Sequence, residues 1–454
     1  MFRKLLILFY LALMTLMFSC KETSKIRPVN VVFIVVDDLN NTIGCYGHPM
    51  VNTPNIDKLA SKGMLFRNAY CDFAVCNPSR SSFLTGLRPE TLGILDNRLP
   101  LQAVLDDRIT LPALFRQNGY HTINIGKVFN GSSEKNDSNA WDEEYHFGAS
   151  SLGRQGVGRN MSQDQLAWCR WLEAEGTDED QQDGQTAAKA IEFLKRDHDK
   201  PFFLGLGFAK PHDPFNAPKK YFEAYSIELC TPPSIPEGWE PPYDHTLPNQ
   251  TPIFNNFTDR DKREFLRSYY ACTSFMDAQL GKVMDALEEE GLMENTMIVF
   301  FGDHGYHLGE HNWWNKVTVY EKCHNAPLII MNGDTALAGK ETTAFVEFLD
   351  FYPTLASYFN LEGIPEYLEG ESFENILKNP DASFRDHVNI LTRRGQMIGR
   401  SVKTKEWRYT EWDDGKMGTE LYDQMNDPLE YNNLSAQEGY ERIKEQMQKL
   451  IIKP

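Results

Sequence analysis

Positive charge is scarce in this chain of 454 residues, which has 46 Lys and Arg against 64 Asp and Glu and a formal net charge of −18. Because a phosphate backbone is bound by a broad Lys/Arg surface, this balance argues against nucleic acid as a partner. An anionic small substrate would require Lys, Arg and His to be concentrated in one pocket. If the substrate is anionic, its site should therefore be a local cluster of basic residues.

Closely spaced cysteine pairs are also lacking, since none of the eight cysteines forms a C-x-x-C pair. This argues against a zinc knuckle and against a thioredoxin-type site. An oxidising compartment would allow disulfides among six scattered thiols, with a pairing that the spacing leaves open. These six are Cys45, Cys71, Cys169, Cys230, Cys272 and Cys323.

The N-terminus carries the pattern of an export signal. Two basic residues precede an apolar run over residues 5–18 that ends at Ser19-Cys20, which is too short and too one-sided for a membrane span. We expect residues 1–19 to be a signal peptide. Its ending resembles a bacterial lipoprotein signal, in which Cys20 is lipidated and residues 20–27 tether the protein to a membrane. The predicted location is the bacterial periplasm or the outer-membrane surface, and a plain cleaved signal is the alternative.

Three near-continuous apolar runs, over residues 29–36, 201–208 and 296–301, predict strands that are buried on both faces. A helical pattern occupies residues 261–290. Alternation of buried strands and helices is typical of an α/β fold with a mostly parallel sheet. We assign residues 28–380 to this catalytic domain.

Other segments predict loops and a second, smaller unit. Residues 130–185 are polar and residues 231–260 are rich in Pro, so both are interpreted as surface insertions. Residues 381–454 contain strand-like segments followed by a charged helix, and they predict a small C-terminal β-plus-helix subdomain.

Polar side chains follow the predicted strands at the point where each strand ends. Asp37 and Asp38 follow the first run, His212 follows the second, and Asp303 and His304 follow the third. Because the carboxyl ends of parallel strands meet at one rim, we expect these residues to converge there. The three aspartates carry hard oxygen ligands suited to Ca²⁺. Taken singly, an Asp pair at a strand end is more often a turn or a helix cap.

The segment over residues 76–86 reads CNPSRSSFLTG. Pro78 suits the first turn of a helix, so Cys76 is predicted at a helix N-terminus, where free N–H groups favour negative charge. A cysteine-phosphatase loop is excluded, because it spaces its Cys and Arg six apart and here Arg80 follows Cys76 by four. The whole segment matches the C-x-P-S-R…L-T-G signature, and the chain therefore resembles the type I sulfatases.

The resemblance continues along most of the chain after the signal. The nearest branch is the iduronate-2-sulfatase group, which implies an alkaline-phosphatase-like fold and the hydrolysis of sulfate esters. Motifs in family order include Asp37-Asp38, Gly44-Cys45-Tyr46-Gly47, Thr53-Pro54-Asn55, Gly126-Lys127-Val128-Phe129, Lys210-Pro211-His212, Asp303-His304-Gly305, Lys316 and Leu421-Tyr422-Asp423.

The family pattern implies that a formylglycine-generating or sulfatase-maturing enzyme oxidises Cys76 to formylglycine. It also implies a Ca²⁺ site formed by Asp37, Asp38, Asp303 and the formylglycine oxygen. His304 either completes the ligand set or donates a hydrogen bond, since histidine is an unusual calcium ligand. The metal would lower the pKa of the formylglycine hydrate and clamp the sulfate.

The resemblance also assigns roles to the basic residues. Arg80 would hold the formylglycine hydrate. Lys127, His212 and Lys316 would bind and neutralise the sulfate, and His212 or Lys316 would protonate the leaving alcohol. Either lysine taken alone would most often be a solvated surface residue. The assignment is supported by the joint occurrence of all these residues.

One residue departs from the pattern, because Asn130 stands where the branch has the histidine that breaks down the sulfated intermediate. Asn cannot take a proton at neutral pH, so His48 and His307 are candidate replacements. The expected substrate is a sulfated poly- or oligosaccharide, either algal (ulvan or carrageenan) or a glycosaminoglycan. Two alternatives remain, a phosphatase or phosphonate hydrolase of the same superfamily and an inactive glycan-binding homologue.

Overall fold

The computed structural model describes residues 29–333 and 337–453. The predicted signal peptide, Cys20 and the tether lie outside the described residues. Among the helices of the described ranges, none is both long enough and apolar enough to cross a membrane.

Strands in the described residues are numbered in chain order. They are β1 Asn30–Val36, β2 Met64–Tyr70, β3 His121–Gly126, β4 Glu143–Tyr145, β5 Gly156–Asn160, β6 Arg170–Ala174, β7 Phe202–Phe208, β8 Phe215–Pro218, β9 Thr296–Gly302, β10 Leu328–Met331, β11 Lys340–Glu347, β12 His387–Arg394, β13 Met397–Thr404, β14 Trp407–Trp412 and β15 Thr419–Asp423.

The α-helices are numbered in the same way, and short 3₁₀ turns occur between several of them. They are α1 Pro54–Lys62, α2 Cys76–Thr85, α3 Pro89–Leu92, α4 Gln102–Leu105, α5 Leu111–Gln117, α6 Gln182–Leu194, α7 Lys219–Glu223, α8 Thr251–Phe254, α9 Asp259–Glu289, α10 Glu321–His324, α11 Phe351–Tyr358 and α12 Glu441–Gln448.

The main sheet has eight strands in the order β11-β2-β10-β9-β1-β7-β3-β4. Only β10 runs antiparallel to its neighbours, so the predicted mostly parallel sheet is confirmed. The central strand β1 pairs in parallel with β9 and β7, and its residues 31–36 are fully buried. Strands covered on both faces need apolar side chains in both directions, which explains their unbroken apolar runs.

Each face of the sheet packs on its own apolar layer. On one face Phe33 lies within 6.2 Å of Phe83 and Phe351, measured between ring centroids. On the other face Ile34 belongs to the cluster that contains Leu280 of α9. The sheet is therefore the middle layer between two groups of helices.

The long helix α9 begins two residues before the predicted range. Thr258 caps it, because its hydroxyl accepts the N–H of Asp261 while the Asp261 carboxylate accepts the N–H of Thr258. Such a capping box satisfies two free N–H groups and fixes the start of a helix.

The interpretation of residues 130–185 as surface loops was incomplete. Strand β4 extends the main sheet beside β3, and β5 and β6 form a three-stranded sheet with β8. Much of this second sheet is exposed, so its strands carry polar residues and lack an apolar run. Residues 231–258 are irregular apart from α8, as predicted, and the last two residues of the Pro-rich segment begin α9.

The C-terminal part contains a four-stranded antiparallel sheet, β12-β13-β14-β15, with α12 packed against β14. Arg408 of β14 is fully buried and pairs with Glu430 and with Glu321 of α10, the latter at 2.5 Å. The predicted β-plus-helix composition is confirmed, while the boundary at residue 380 stays a prediction.

Candidate active site

Four adjacent strands end at the same rim of the sheet. In parallel register, Val36 of β1 pairs with Phe208 of β7 and Gly302 of β9, and Gly126 of β3 pairs with Gly207 of β7. The residues after these strand ends are the predicted site residues Asp37, Asp38, Lys127, His212, Asp303 and His304. The structure therefore brings them together, as the predicted strand ends indicated for all of them except Lys127, which follows the unpredicted strand β3.

The backbone itself requires small residues at this rim. A Cβ at Gly126 would lie 2.1 Å from the carbonyl oxygen of Gly207, and the Gly126 φ of +85° is unfavourable for other residues. Gly207 has equally little room beside the backbone of Lys127. Close approach of these two strands fixes the position from which Lys127 extends.

Cys76 is the first residue of α2 and is 1% exposed. Its Sγ lies 3.1 Å from Lys316 Nζ, 3.2 Å from Asp37 Oδ1 and 3.6 Å from His304 Nε2. Burial and Asp37 disfavour a negative charge here, but Lys127 and Lys316 outweigh them and hold the pKa of the thiol well below its ordinary value. This position therefore stabilises an anion.

A set of donor atoms suitable for a cation surrounds Cys76. One ligand atom from each of Asp37, Asp38, Cys76 and His304 lies within 4.8 Å of the others. Asp38 Oδ2 is buried and has no hydrogen-bond partner among the described residues. A buried carboxylate oxygen without a donor is costly, so this oxygen is available as a ligand.

Asp303 lies beside this set. Its Oδ1 accepts the N–H of Asp38 at 3.1 Å and lies 3.6 Å from His304 Nε2, while its Oδ2 accepts from Arg80 Nε at 2.9 Å. Burial raises the pKa of Asp303 to about 6, although His304 and Arg80 oppose the shift. Asp303 therefore joins the cation-binding set to the guanidinium of Arg80.

Cationic side chains balance the carboxylates. Lys127 pairs with Asp37 and Lys316 pairs with Asp38, and His212 Nε2 lies 3.9 Å from Asp38 Oδ2. Burial disfavours the charged imidazole, but the two aspartates raise the pKa of His212 to about 10. The two lysines and His212 thus hold protons close to the aspartates and to Cys76.

Arg80 is also fixed in the cluster. Its Nη1 donates to the carbonyl oxygens of Lys127 and Val128, the latter at 3.0 Å, and its Nη2 lies 3.5 Å from Asp37 Oδ1. All five predicted catalytic residues therefore lie in one cluster, in which Cys76, Arg80 and Lys316 are buried and Lys127 and His212 are partly exposed.

The two candidate replacement histidines lie elsewhere. His48 contacts Tyr270 at 5.4 Å between ring centroids, and His307 Nε2 lies 2.9 Å from the Thr318 hydroxyl. Burial lowers the pKa of His307 to about 3. The histidines that approach Cys76 are His212 and His304, so neither candidate is supported as the replacement for a base at Asn130.

A cavity of about 320 Å³ opens beside the cluster and is lined by Asp37, Lys127 and His212. It is also lined by Gln182, Asp213 and Asn216, which offer hydrogen-bonding groups to a substrate. An anion that carries a hydrogen-bonding leaving group would therefore meet both cations and polar side chains in this cavity.

Tyr269 contacts the site through the Asp38 turn and was not predicted from the sequence. Asp38 adopts the left-handed φ of +64°, which is unusual for a residue other than glycine. The hydroxyl of Tyr269 in α9 donates to the carbonyl of Asp38 at 2.7 Å and accepts the N–H of Asn40 at 2.9 Å. No motif marks Tyr269, because its role depends on a turn conformation that the sequence does not reveal.

Comparisons with known proteins agree with this geometry. The profile of the Sulfatase family matches residues 29–361, and that of the N-sulphoglucosamine sulphohydrolase C-terminal region matches residues 309–453. A "Sulfatase" of Formosa agariphila is 32% identical and covers 94% of this chain and 88% of its own length. The human iduronate 2-sulfatase is 32% identical, with 91% and 92% covered.

Two solved structures share the fold. BT4656, solved with its substrate D-glucosamine-2-N,6-O-disulfate, has a TM-score of 0.74 at 23% identity and covers 93% of this chain and 96% of its own. The phosphonate monoester hydrolase of Agrobacterium radiobacter has a TM-score of 0.76 at 20% identity, with 93% and 94% covered. At these identities the likeness confirms the alkaline-phosphatase-like fold alone.

Replacing Tyr269 by Phe is expected to lower the free energy of unfolding by about 1–3 kcal/mol, because the Asp38 carbonyl and the Asn40 N–H lose their buried partner. Urea unfolding followed by circular dichroism measures the change. Tyr270→Phe is the matched control, since this neighbouring ring contacts His48 and Tyr225. Equal stability of Tyr269→Phe and the unsubstituted protein would show that the hydrogen bonds of the Tyr269 hydroxyl do not stabilise the Asp38 turn.

Proposed function

The chain belongs to the sulfatase family and is a sulfuric ester hydrolase, and from this membership we propose that it is a calcium-dependent carbohydrate sulfatase with a formylglycine at position 76. The observation that carries the proposal is the position of Cys76, buried at a helix N-terminus within 3.6 Å of a lysine, a carboxylate and a histidine. In the mature enzyme a formylglycine oxygen would take the place of the Sγ atom.

The residues present fit a calcium ion. Asp37 and Asp38 offer carboxylate oxygens, the Asp38 Oδ2 atom lacks another partner among the described residues, and His304 and Asp303 adjoin them. Oxygen-rich sets of this kind suit hard cations. When bound, the metal would supply Lewis-acid stabilisation of negative charge.

The protein's own cations would bind the sulfate group. Lys316 Nζ lies 3.1 Å from Cys76 Sγ, and Lys127 and Arg80 of α2 both contact the adjacent Asp37. Fixed cations in a site that excludes water stabilise developing charge without reorganisation. His212 or Lys316 would then donate the proton that the leaving alcohol needs, and the raised pKa of His212 keeps that proton available at neutral pH.

Two similar proteins and the predicted export signal support a carbohydrate substrate. The human relative is an iduronate 2-sulfatase, and BT4656 was solved with a sulfated glucosamine as its substrate. The predicted export signal would place the enzyme in the periplasm or on the outer membrane through a lipid at Cys20, where polysaccharides are met. The proposed substrates are algal glycans such as ulvan or carrageenan, or glycosaminoglycans.

The likeness to a phosphonate monoester hydrolase favours one alternative, hydrolysis of a phosphonate or phosphate ester on the same fold. Both reactions need an anion site beside a metal, so the fold does not separate them. Asn130 favours a second alternative, an inactive glycan-binding protein, because Asn cannot act as a proton acceptor at neutral pH.

The peptide that contains Cys76, isolated from the native host, is expected to weigh about 18 Da less than its unmodified form, since conversion to the aldehyde removes the thiol. Cys76→Ala should abolish release of sulfate while its melting temperature is retained. Cys45→Ala, outside the site, serves as the control. Sulfate release by folded Cys76→Ala protein would refute the nucleophile.

Removal of calcium with EGTA is expected to abolish activity and lower the melting temperature by about 3 °C, the effect of losing a ligand held at about 100 times its Kd. The buried carboxylates then lose a compensating charge. Calcium should restore both properties, and Asp38→Asn should melt at a temperature independent of calcium. An unchanged melting temperature after chelation would count against the metal, and zinc in elemental analysis would favour the phosphatase alternative.

Sulfate released from a panel of desalted ulvan, carrageenan and glycosaminoglycan oligosaccharides tests the substrate class. We expect at least one glycan to be hydrolysed much faster than p-nitrophenyl sulfate, because the cavity wall offers polar groups suited to sugar hydroxyls. Cys76→Ala protein is the blank for the assay. Rapid turnover of the aryl sulfate without release from any glycan would refute the carbohydrate assignment.

A further inference from the structure

A second cavity lies between the Pro-rich segment 231–260 and the turn at Glu310–Asn312. Its volume is about 730 Å³, more than twice that of the catalytic cavity. The two cavities share no lining residue, so this one is a separate feature, here called the Trp239 groove. Its size is that of a small-molecule site.

Trp239 provides an aromatic wall of the groove. Its indole N–H donates to the carbonyl of Tyr431 at 3.0 Å, and its ring lies 5.0 Å from His311 and 5.6 Å from Tyr431 between centroids. Trp239 is only half-buried despite these contacts. The ring is therefore fixed in orientation while part of its surface faces the groove.

The rest of the wall is stiff and polar. Four prolines contribute to it, and their restricted backbone lowers the entropy lost on binding. Amide and carboxylate side chains alternate with them and offer both donors and acceptors. The prolines are Pro236, Pro241, Pro248 and Pro252, and the polar residues are Glu240, Asp244, Asn249, Asn255, Lys262 and Asn312.

His311 lines the groove beside Trp239. It is 1% exposed, and its Nε2 donates to the carbonyl of Glu430 at 3.2 Å. Its Nδ1 has no hydrogen-bond partner in residues 29–333 and 337–453. Burial lowers the pKa of His311 to about 4, so the ring is neutral at ordinary pH and Nδ1 stays an acceptor. His311 therefore adds no charge to the groove.

This combination matches a sugar ring. An aromatic surface suits the apolar face of a pyranose, and the amides and carboxylates suit its hydroxyls. Two carboxylates against one ammonium group make the groove slightly anionic. A sulfate or uronate group would be repelled there, in contrast to the cationic site at Cys76.

We propose that the Trp239 groove binds an unsulfated sugar unit of the glycan whose sulfate ester is cleaved at Cys76. The proposal rests on the proposed function and adds a second, neutral subsite to it. The loop between Asp303 and Lys316 joins the two places, since it carries catalytic residues at both ends and His311 near its middle. Binding at two points of one chain would raise the affinity for long substrates without any change at the sulfate.

Binding is measured first in the Cys76→Ala background, so that hydrolysis plays no part. Isothermal titration with neutral hexasaccharides of galactose, xylose and glucose, and with their sulfated counterparts, identifies the ligand. We expect at least one neutral hexasaccharide to bind and Trp239→Ala to weaken that binding at least tenfold. Trp407→Ala, which alters a half-buried tryptophan of β14 that does not line the groove, should bind normally.

Kinetics on the unmodified background complete the test. Trp239→Ala should raise KM for a sulfated polysaccharide about tenfold and leave both kcat and the KM for a sulfated disaccharide unchanged. If Trp239→Ala does not fold, the same measurements are made on a variant in which the exposed residues Glu240 and Asn249 are both changed to Ala. Unaltered neutral-glycan binding in these folded variants, or no binding of any neutral hexasaccharide, would overturn the groove proposal. Absence of sulfate release from any substrate, with neutral binding intact, would instead refute the proposed function.

Discussion

Ionic balance at the carboxyl end of β1 is the constraint on which the site depends. Asp37, Asp38 and Asp303 are buried beside one another, and burial raises the pKa of each carboxyl while the cations around them lower it. Burial of charge is expensive, so each partner must be held at short range. Lys127, Lys316 and Arg80 meet this need directly, and further connections run through the backbone.

Backbone contacts hold the charged groups where the sheet delivers them. The hydroxyl of Ser79 donates to the carbonyl of Asp303, and the carboxylate of Asp183 accepts the N–H groups of Ala209 and Lys210 at 2.8 Å. Together with Tyr269 under Asp38, these contacts connect α2, α6 and α9 to three strand ends. A site organised in this way has its dipoles oriented before a substrate arrives.

Much of this arrangement could be predicted from the sequence, because long apolar runs identify buried strands and the residues after them must share a rim. Position 76 was recognisable because its motif is long. The sheet of β5, β6 and β8 was missed, since exposed strands lack an apolar run. Tyr269 and the Trp239 groove depend on residues brought together from distant parts of the chain, and no local pattern records such contacts.

Because the four central strands share one register, residues can be inserted or deleted in the connections between strands but not within the strands. Val36 pairs at the same level as Phe208 and Gly302, and a single inserted residue within one strand would shift its following group by about 3.3 Å and reverse its side chains. Insertions can therefore accumulate in the connections, such as residues 130–185, without moving the cluster. Divergence between relatives should be concentrated there, so that the chemistry stays constant while the surroundings of the cavity vary.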